Sequence, residues 1–319
     1  MFLKDISIQE FSSLNNENCS VFNTLDWVSI YNENINFVGI FQDEQKLIGS
    51  FYYYKIKKFG INFIKLPPYS PNCGLRILVQ ANNESIINGF LKESIKLISE
   101  YFNSLNSSLT ILAFPTSVID MQPFIWNKFK VIPNYTYQLD LNKTIEELNQ
   151  NFDPKNRNSI KKAIKSDLII EINKQSKNNL FDYFKNCLTE AGANVYETEL
   201  KALFLNFAND KNSFSIEAYS NNVLIGAVFC AYDSKTCYYL FGGTNKNSEI
   251  QGINNLLILK AIENAKHLGC SVFDFEGSML VGVEKFFRGF GGKLIPYYTV
   301  NKGNLAIEII LKLKKRHLF

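Results

Sequence analysis

Several chemistries are excluded by what these 319 residues lack. There are two histidines, His267 and His317, which leaves little material for a Ser-His-Asp triad or a histidine metal site. His267 falls in the last turn of an expected helix, where its charged form would favour the dipole. No GxxxxGK[ST] phosphate loop occurs. The six cysteines (Cys19, Cys73, Cys187, Cys230, Cys237 and Cys270) form no CxxC pair, and several sit in apolar runs such as VFCAY and TCYYL. That pattern reads as buried free thiols in a reducing compartment. No run approaches the roughly 18 apolar residues of a membrane span, and FLKDISIQEF lacks a signal-peptide core. The expected location is cytoplasmic. Charge of neither sign dominates: a net +4 argues no nucleic-acid partner by itself but suits an anionic small molecule.

What is present describes an ordinary globular protein, 46% hydrophobic and 20% charged, long enough for two domains. Two stretches share a plan. FVGIFQDEQKLIGSFYYYKI (37–56) and FSIEAYSNNVLIGAVFCAYD (214–233) each read as strand, polar turn, strand, with Leu47-Ile48-Gly49 matched by Leu224-Ile225-Gly226. The repeated placement predicts an internal duplication. After the first hairpin come INFIKL, a proline-rich loop, a helix over NESIINGFLKESIKLISEYFNSL with Ile86, Phe90, Ile95 and Ile98 at near-helical spacing, and a strand stopped by Pro115. After the second come TCYYLFGGTN, a helix whose start is assigned to a Ser248–Gln251 capping box, and CSVFDFEG. The fold class is α/β (α+β), with a mixed sheet in each half and a boundary in the strand-to-helix passage YQLDLNKTIEELNQNF.

The stretch FDFEGSMLVGVEKFFRGFGGKL (273–294) carries the densest candidate chemistry. Alternation places Asp274 and Glu276 on one strand face and Phe273 and Phe275 on the other. Two close carboxylates resist double ionisation, which would raise one of them toward a general base's working range; pairing with a lysine or capping a turn is the structural alternative. The rest reads as a glycine-punctuated loop, in which Lys285 and Arg288 suit a phosphate or a solvated surface equally. Arg157, Lys161 and Lys165 recur every four residues on one helix face, which by itself reads first as a solvated face. Of Tyr238 and Tyr239, alternation lets only one supply a hydroxyl to the reaction. NLAIEIILKLKKRHLF at the end reads as an element docking on the core, with contact to an anionic membrane as the second reading.

Four stretches then carry a family resemblance. NFDPKNRNSIKKAIKSDLIIEI, with Arg157, Ile160, Lys161, Lys162, Ala163 and Lys165, resembles the R-x-x-I-(R/K)-K-A-x-(K) helix of the Fem-type (FemABX) aminoacyltransferases, a duplicated form of the GNAT acyltransferase fold. CYYLFGGTN resembles their tyrosine-rich strand and Gly-Gly turn. AIENAKHLGC with Phe273-Asp274-Phe275 resembles the approach to their D-F-x-G-S turn, and GVEKFFRGFGG their closing G-x-x-x-F-K-x-x-F-G motif. Most of the chain is covered, the second half more specifically. Phe287 stands where the family has lysine, the helical arm is absent, and so is the GNAT signature Q/R-x-x-G-x-G/A.

The resemblance implies two tandem GNAT-like domains. Residues 1–142 would shape an acceptor cleft and 143–319 would hold the donor and the reacting centre, the last ~20 residues packing back on the first domain. It implies an N-acyltransferase that carries an aminoacyl or acyl group to an amine of a bacterial cell-envelope precursor, peptidoglycan or polysaccharide. Acyl-CoA or aminoacyl-tRNA would be the co-substrate, with no tightly bound cofactor and no metal. The partners implied are an anionic or lipid-linked precursor, tRNA and the inner membrane surface. Asp274, Glu276 and Tyr239 are then the catalytic candidates; Arg157, Lys161, Lys285, Arg288, Gly243, Gly252 and Phe286 are the substrate- or donor-binding ones. The alternatives are an acetyl-CoA-dependent N-acetyltransferase of a nucleotide-linked amino sugar or other small amine, and a non-catalytic binding relative.

Overall fold

The computed structural model describes residues 1–14, 19–31, 34–58, 60–174, 178–246, 248–277 and 279–314. In chain order these form β1 (Phe2–Asp5), α1 (Ile8–Ser13), α2 (Leu25–Val28), β2 (Ile35–Phe41), β3 (Leu47–Lys58), β4 (Ile61–Lys65), β5 (Arg76–Ile77), α3 (Glu84–Ser104), β6 (Leu109–Ala113), α4 (Gln122–Trp126) and β7 (Lys130–Asp140). There follow α5 (Ile145–Asn151), α6 (Pro154–Ile164), β8 (Ile169–Asn173), α7 (Asn178–Glu190), α8 (Glu197–Ala202), β9 (Ser213–Ser220), β10 (Val223–Tyr232), β11 (Thr236–Thr244), α9 (Ile253–His267), β12 (Val272–Asp274), α10 (Val281–Arg288), β13 (Lys293–Gly303) and α11 (Leu305–Lys314).

Two compact units divide the chain. Unit 1 comprises Met1–Asn16, Tyr31–Asn134 and Pro296–Phe319; unit 2 comprises Glu17–Ile30 and Tyr135–Ile295. The single cut expected at 142/143 is thus replaced by exchanged segments, because the chain changes unit inside β7 and again inside β13. Among the described residues each unit has a path of six strands in the same pairing pattern, and in unit 1 β5 adds to it by pairing β3. In unit 1 the order is β1-β2-β3-β4-β6-β13, and in unit 2 it is β8-β9-β10-β11-β12-β7; β4–β6 and β11–β12 are the parallel pairs in otherwise antiparallel sheets.

The two Leu-Ile-Gly triplets fall on one device. Leu47 pairs Phe41 and Gly49 pairs Ile40, leaving Ile48 as an extra residue; Leu224 pairs Tyr219 and Gly226 pairs Ala218, leaving Ile225 as one. Both hairpins therefore carry a β-bulge at the same place, which bends the strand onto its core. Unit 1 packs α3 on its sheet through Ile95, Ile98 and Phe102 against Phe51 and Leu112. Ile86, expected in that stripe, is exposed on the helix's first turn. Unit 2 packs α9 on its sheet through Leu257, Ala261 and Ala265 against Ile216, Val228 and Phe273.

Two local expectations are corrected. The helix after β11 starts without a Ser248–Gln251 box: its N-cap is Gly252, at φ 84°, with no side-chain cap. The glycine-rich stretch beyond Gly277 is a helix over 281–288, not a loop, and glycines flank it at 289, 291 and 292. All six cysteines are free thiols.

Candidate functional site

Strands β11 and β12 run parallel for three pairs, ending at Tyr238↔Asp274. Beyond that point β11 continues to Thr244 along β10, while β12 stops. The stop has a local cause. The Asp274 carboxylate turns back to accept the Glu276 N–H at 2.8 Å, and Glu276 and Gly277 both take left-handed conformations, φ 57° and 73°. A left-handed residue with a side chain costs on the order of 1–2 kcal/mol, a strain that persists where surroundings over-determine it. The split between the strands opens at the two carboxylates.

The carboxylates are not alike. Asp274 is 4% exposed and accepts from Thr136 Oγ1 at 2.5 Å and Gln138 Nε2 at 2.7 Å, besides the Glu276 N–H. Those donors come from β7, whose register sets Gln138 opposite Asp274. Burial pushes the Asp274 carboxyl up, and its three hydrogen bonds pull it back. Glu276 accepts no hydrogen bond and joins no ion pair among the described residues. Burial pushes it well above the usual carboxylate range, and the charge of Asp274 adds to the rise. Tyr238 shares a strand face with Asp274. Its ring lies 4.7 Å from that of Phe22 and its hydroxyl 3.5 Å from Ser20 Oγ. Burial, Asp233 and Glu276 push the phenol well up, so it is a protonated donor at neutral pH.

Tyr239, the expected hydroxyl, points the other way. Its ring packs against Phe287 at 5.4 Å and Phe275 at 6.4 Å. Tyr238 takes the place beside the carboxylates. Phe287 is buried in that cluster, so a lysine there would lose its solvation. Phe286 also serves packing, against Phe287 and Phe290. Lys285 and Arg288 lie on the exposed side of α10, where Arg288 pairs with Glu284 at 2.9 Å and Glu284 accepts the Tyr137 hydroxyl at 2.7 Å. Gly243 allows close approach of α7: a Cβ there would meet Cys187 Sγ at 2.6 Å. Gly252 does the same for α6, since a Cβ would meet the Ser159 carbonyl at 2.1 Å. Both glycines are packing residues.

A second feature lies on α6. An open cavity of about 720 Å³ is lined by Lys155, Asn158, Ser159, Lys161, Lys162, Lys165 and Gln251. Lys162 Nζ donates to Gln251 Oε1 at 3.0 Å, and none of the four lysines forms an ion pair with a described residue. Gln251 directly precedes the uncapped N-terminus of α9, so the positive end of that dipole reinforces the lysines. Of the two basic candidates on α6, Lys161 lines the cavity and Arg157 does not.

The site residues missed in the sequence are Thr136 and Gln138, while Tyr238 is weighed there and set aside for Tyr239. YTYQLDL alternates Thr136 and Gln138 onto one face, a visible signal, but only the β7–β12 register aims that face at Asp274.

Comparison with known proteins bears on the fold. Residues 180–288 match the family model described as an acetyltransferase (GNAT) domain. No curated protein matches the chain in sequence. Among solved structures the chain is similar in fold to FemX, at 13% identity and TM-score 0.59 over 93% of this chain and 97% of that one. It is also similar to the C-terminal domain of a protein assigned as a lysylphosphatidylglycerol synthetase of Agrobacterium fabrum, at 9% identity and TM-score 0.60 over 95% and 94%. A tandem GNAT protein from the clavulanic acid biosynthesis pathway matches at 7% identity and TM-score 0.56 over 94% and 97%. Residues 180–288 thus match a GNAT acetyltransferase domain, which supports acyltransferase chemistry there, and the fold of the chain is similar to that of a tandem GNAT protein.

Proposed function

We propose that the chain transfers an acyl or aminoacyl group to an amine of a cell-envelope precursor, with Glu276 as the general base. One observation carries the assignment of the base. Of the two carboxylates at the strand split, Asp274 is consumed by three hydrogen bonds, whereas Glu276 has none and is held at a raised pKa on strained backbone. An ammonium acceptor gives a proton to the Glu276 carboxylate. The freed amine attacks the donor's carbonyl carbon; as the tetrahedral intermediate collapses its bond to the leaving group breaks, the thiol or hydroxyl takes its proton from Tyr238, and the proton shed by the attacking nitrogen restores the Tyr238 phenol. Asp274 is a positioning residue: it fixes the turn that presents Glu276. The lysines of α6 hold the donor's phosphates, whether those of CoA or of an aminoacyl-tRNA.

The likeness in fold to FemX and to the synthetase domain supports an aminoacyl donor and an envelope acceptor. The second reading, acetyl-CoA-dependent N-acetylation of a small amine, is favoured by the family model's description and by the tandem GNAT protein, whose name refers to AcCoA. The test is amine acylation by purified protein with acetyl-CoA, longer acyl-CoAs and charged tRNAs against amino-sugar nucleotides and muropeptide amines. Turnover with charged tRNA that is lost in Glu276→Gln supports the first reading, and turnover confined to acetyl-CoA supports the second. Full turnover in Glu276→Gln would move the base elsewhere.

A further inference from the structure

The C-terminal helix α11 of unit 1 presents its apolar side to solvent. Leu305, Ile309, Ile310 and Leu313 are 78%, 51%, 52% and 81% exposed. At 3.6 residues per turn the four fall within an arc of roughly 140°. The opposite side, with Ile307 and Glu308, is the partly covered one. That orientation is set by polar ties rather than by burial. Asn304 Oδ1 accepts the Ile307 N–H at 3.0 Å, its carbonyl accepts the Glu308 N–H at 2.9 Å, and Glu308 Oε1 accepts the Gly303 N–H at 3.1 Å. The expectation that this segment docks its apolar residues on the core is therefore corrected.

Charge says what covers the face. Lys312 is exposed beside the stripe. From Leu305 onward the sequence has Lys312, Lys314, Lys315 and Arg316 against the single acid Glu308. An apolar arc with Lys312 beside it, in a segment whose sequence is net positive, matches the boundary of an anionic bilayer, where aliphatic side chains enter the acyl region and lysine stems reach back to phosphates. Ten residues reach about 15 Å, half of the roughly 30 Å hydrocarbon core, so the helix would lie in the interface. No helix among the described residues is long and apolar enough to cross a membrane.

We propose that α11 is an interfacial helix seating Leu305, Ile309, Ile310 and Leu313 in the surface of an anionic phospholipid bilayer. The proposal does not depend on which acyl donor or acceptor the enzyme uses.

The full chain is mixed with vesicles of phosphatidylcholine, or of phosphatidylcholine with phosphatidylglycerol, and sedimented. Binding to the anionic vesicles should exceed binding to the neutral ones at least tenfold at low salt. Ile309→Asp with Leu313→Asp should lower it at least tenfold while leaving the thermal midpoint unchanged. A Leu313→Trp variant, which keeps the face apolar, should show a blue-shifted emission on anionic vesicles alone. Three results overturn the proposal: no sedimentation with either vesicle; undiminished binding of the double variant, which assigns attraction to the basic end alone; or self-association in solution that the double variant abolishes without any lipid binding, which assigns the face to a second copy of the chain.

Discussion

Units 1 and 2 share a strand pattern and a bulged hairpin, yet they treat the end of the parallel pair in opposite ways. Matched pair for pair, Phe63↔Leu109, Ile64↔Thr110 and Lys65↔Ile111 correspond to Thr236↔Val272, Cys237↔Phe273 and Tyr238↔Asp274. Unit 1 thus carries Ile111 where unit 2 carries Asp274, and Ala113 where unit 2 carries Glu276. Unit 1 also closes the gap. The Cys73 N–H donates to the Ala113 carbonyl and the Tyr52 N–H to the Cys73 carbonyl, while β5 takes over the edge of β3 that the short β4 leaves. In unit 2, β11 stays on β10 to its end, and no strand among the described residues pairs β11 beyond Asp274 on that side. One fold therefore yields a sealed sheet or an open split, depending on whether the third strand leaves early. The carboxylates sit only in the open one.

The largest expected effect tests that asymmetry. Glu276→Gln should lower turnover roughly 100- to 10,000-fold with little change in KM, because general-base catalysis is lost while the donor contacts remain. Its stability should move the other way. Glu276 is raised in the folded protein, so between the unfolded carboxylate value of about 4.3 and its folded value the native state binds more protons, and stability falls as pH rises through that window. The glutamine variant should therefore melt higher than the natural protein above the window, the gap closing below about pH 4.3. Asp274→Asn should instead melt lower, by about 1–3 kcal/mol, since an amide cannot accept from Thr136, Gln138 and the Glu276 N–H as a carboxylate does. If both variants lose stability alike, the division of labour between the carboxylates is wrong.

How much of this was legible follows from range. The hairpins, their Leu-Ile-Gly triplets, the long helix α3 and the acidic end of β12 were readable because each rests on spacing within a few residues. The helix α10 was obscured by Gly282 within it and four glycines around it, although Phe287 and Phe290, both buried, are three apart, as are the outward Lys285 and Arg288. The separate roles of Asp274 and Glu276 were not readable. They depend on Thr136 and Gln138, more than 130 residues away, and on a backbone that turns left-handed after a three-residue strand. The choice between Tyr238 and Tyr239 likewise needed the parallel register, since alternation alone says only that they differ.

A middle-sized effect sharpens the comparison at the bulges. In Gly49→Ala the new methyl would sit 2.5 Å from the Arg76 carbonyl of β5, which its own pairing with β3 holds in place. In Gly226→Ala it would meet Ile253 Cγ2 at 2.7 Å and Leu257 Cδ1 at 3.0 Å, which are side-chain rather than backbone atoms. Overpacking against fixed backbone should cost about 1–3 kcal/mol at position 49 and less at 226. Equal thermal shifts in the two variants would show that the closing strand of unit 1 yields as readily as a side chain.

The smallest effect concerns the donor side of unit 2. Lys162 and Lys165 line the α6 cavity, and Arg157, one turn earlier on the same helix, does not. Lys162→Ala with Lys165→Ala should raise the donor's KM about tenfold at low salt, close to the effect of one lost charge-assisted contact. The loss should shrink as salt is added, because screening already weakens those contacts in the natural protein. Thermal stability should hardly change, since exposed charges contribute about 0–1 kcal/mol. Arg157→Ala should leave the donor's KM within about twofold, as expected of a solvated charge. Measuring KM at two ionic strengths for both variants separates the possibilities. A salt-dependent rise in Arg157→Ala equal to that of the lysine pair would extend the donor surface around the helix, and no rise in either variant would remove α6 from donor binding and leave the α9 N-terminus to hold the phosphates alone.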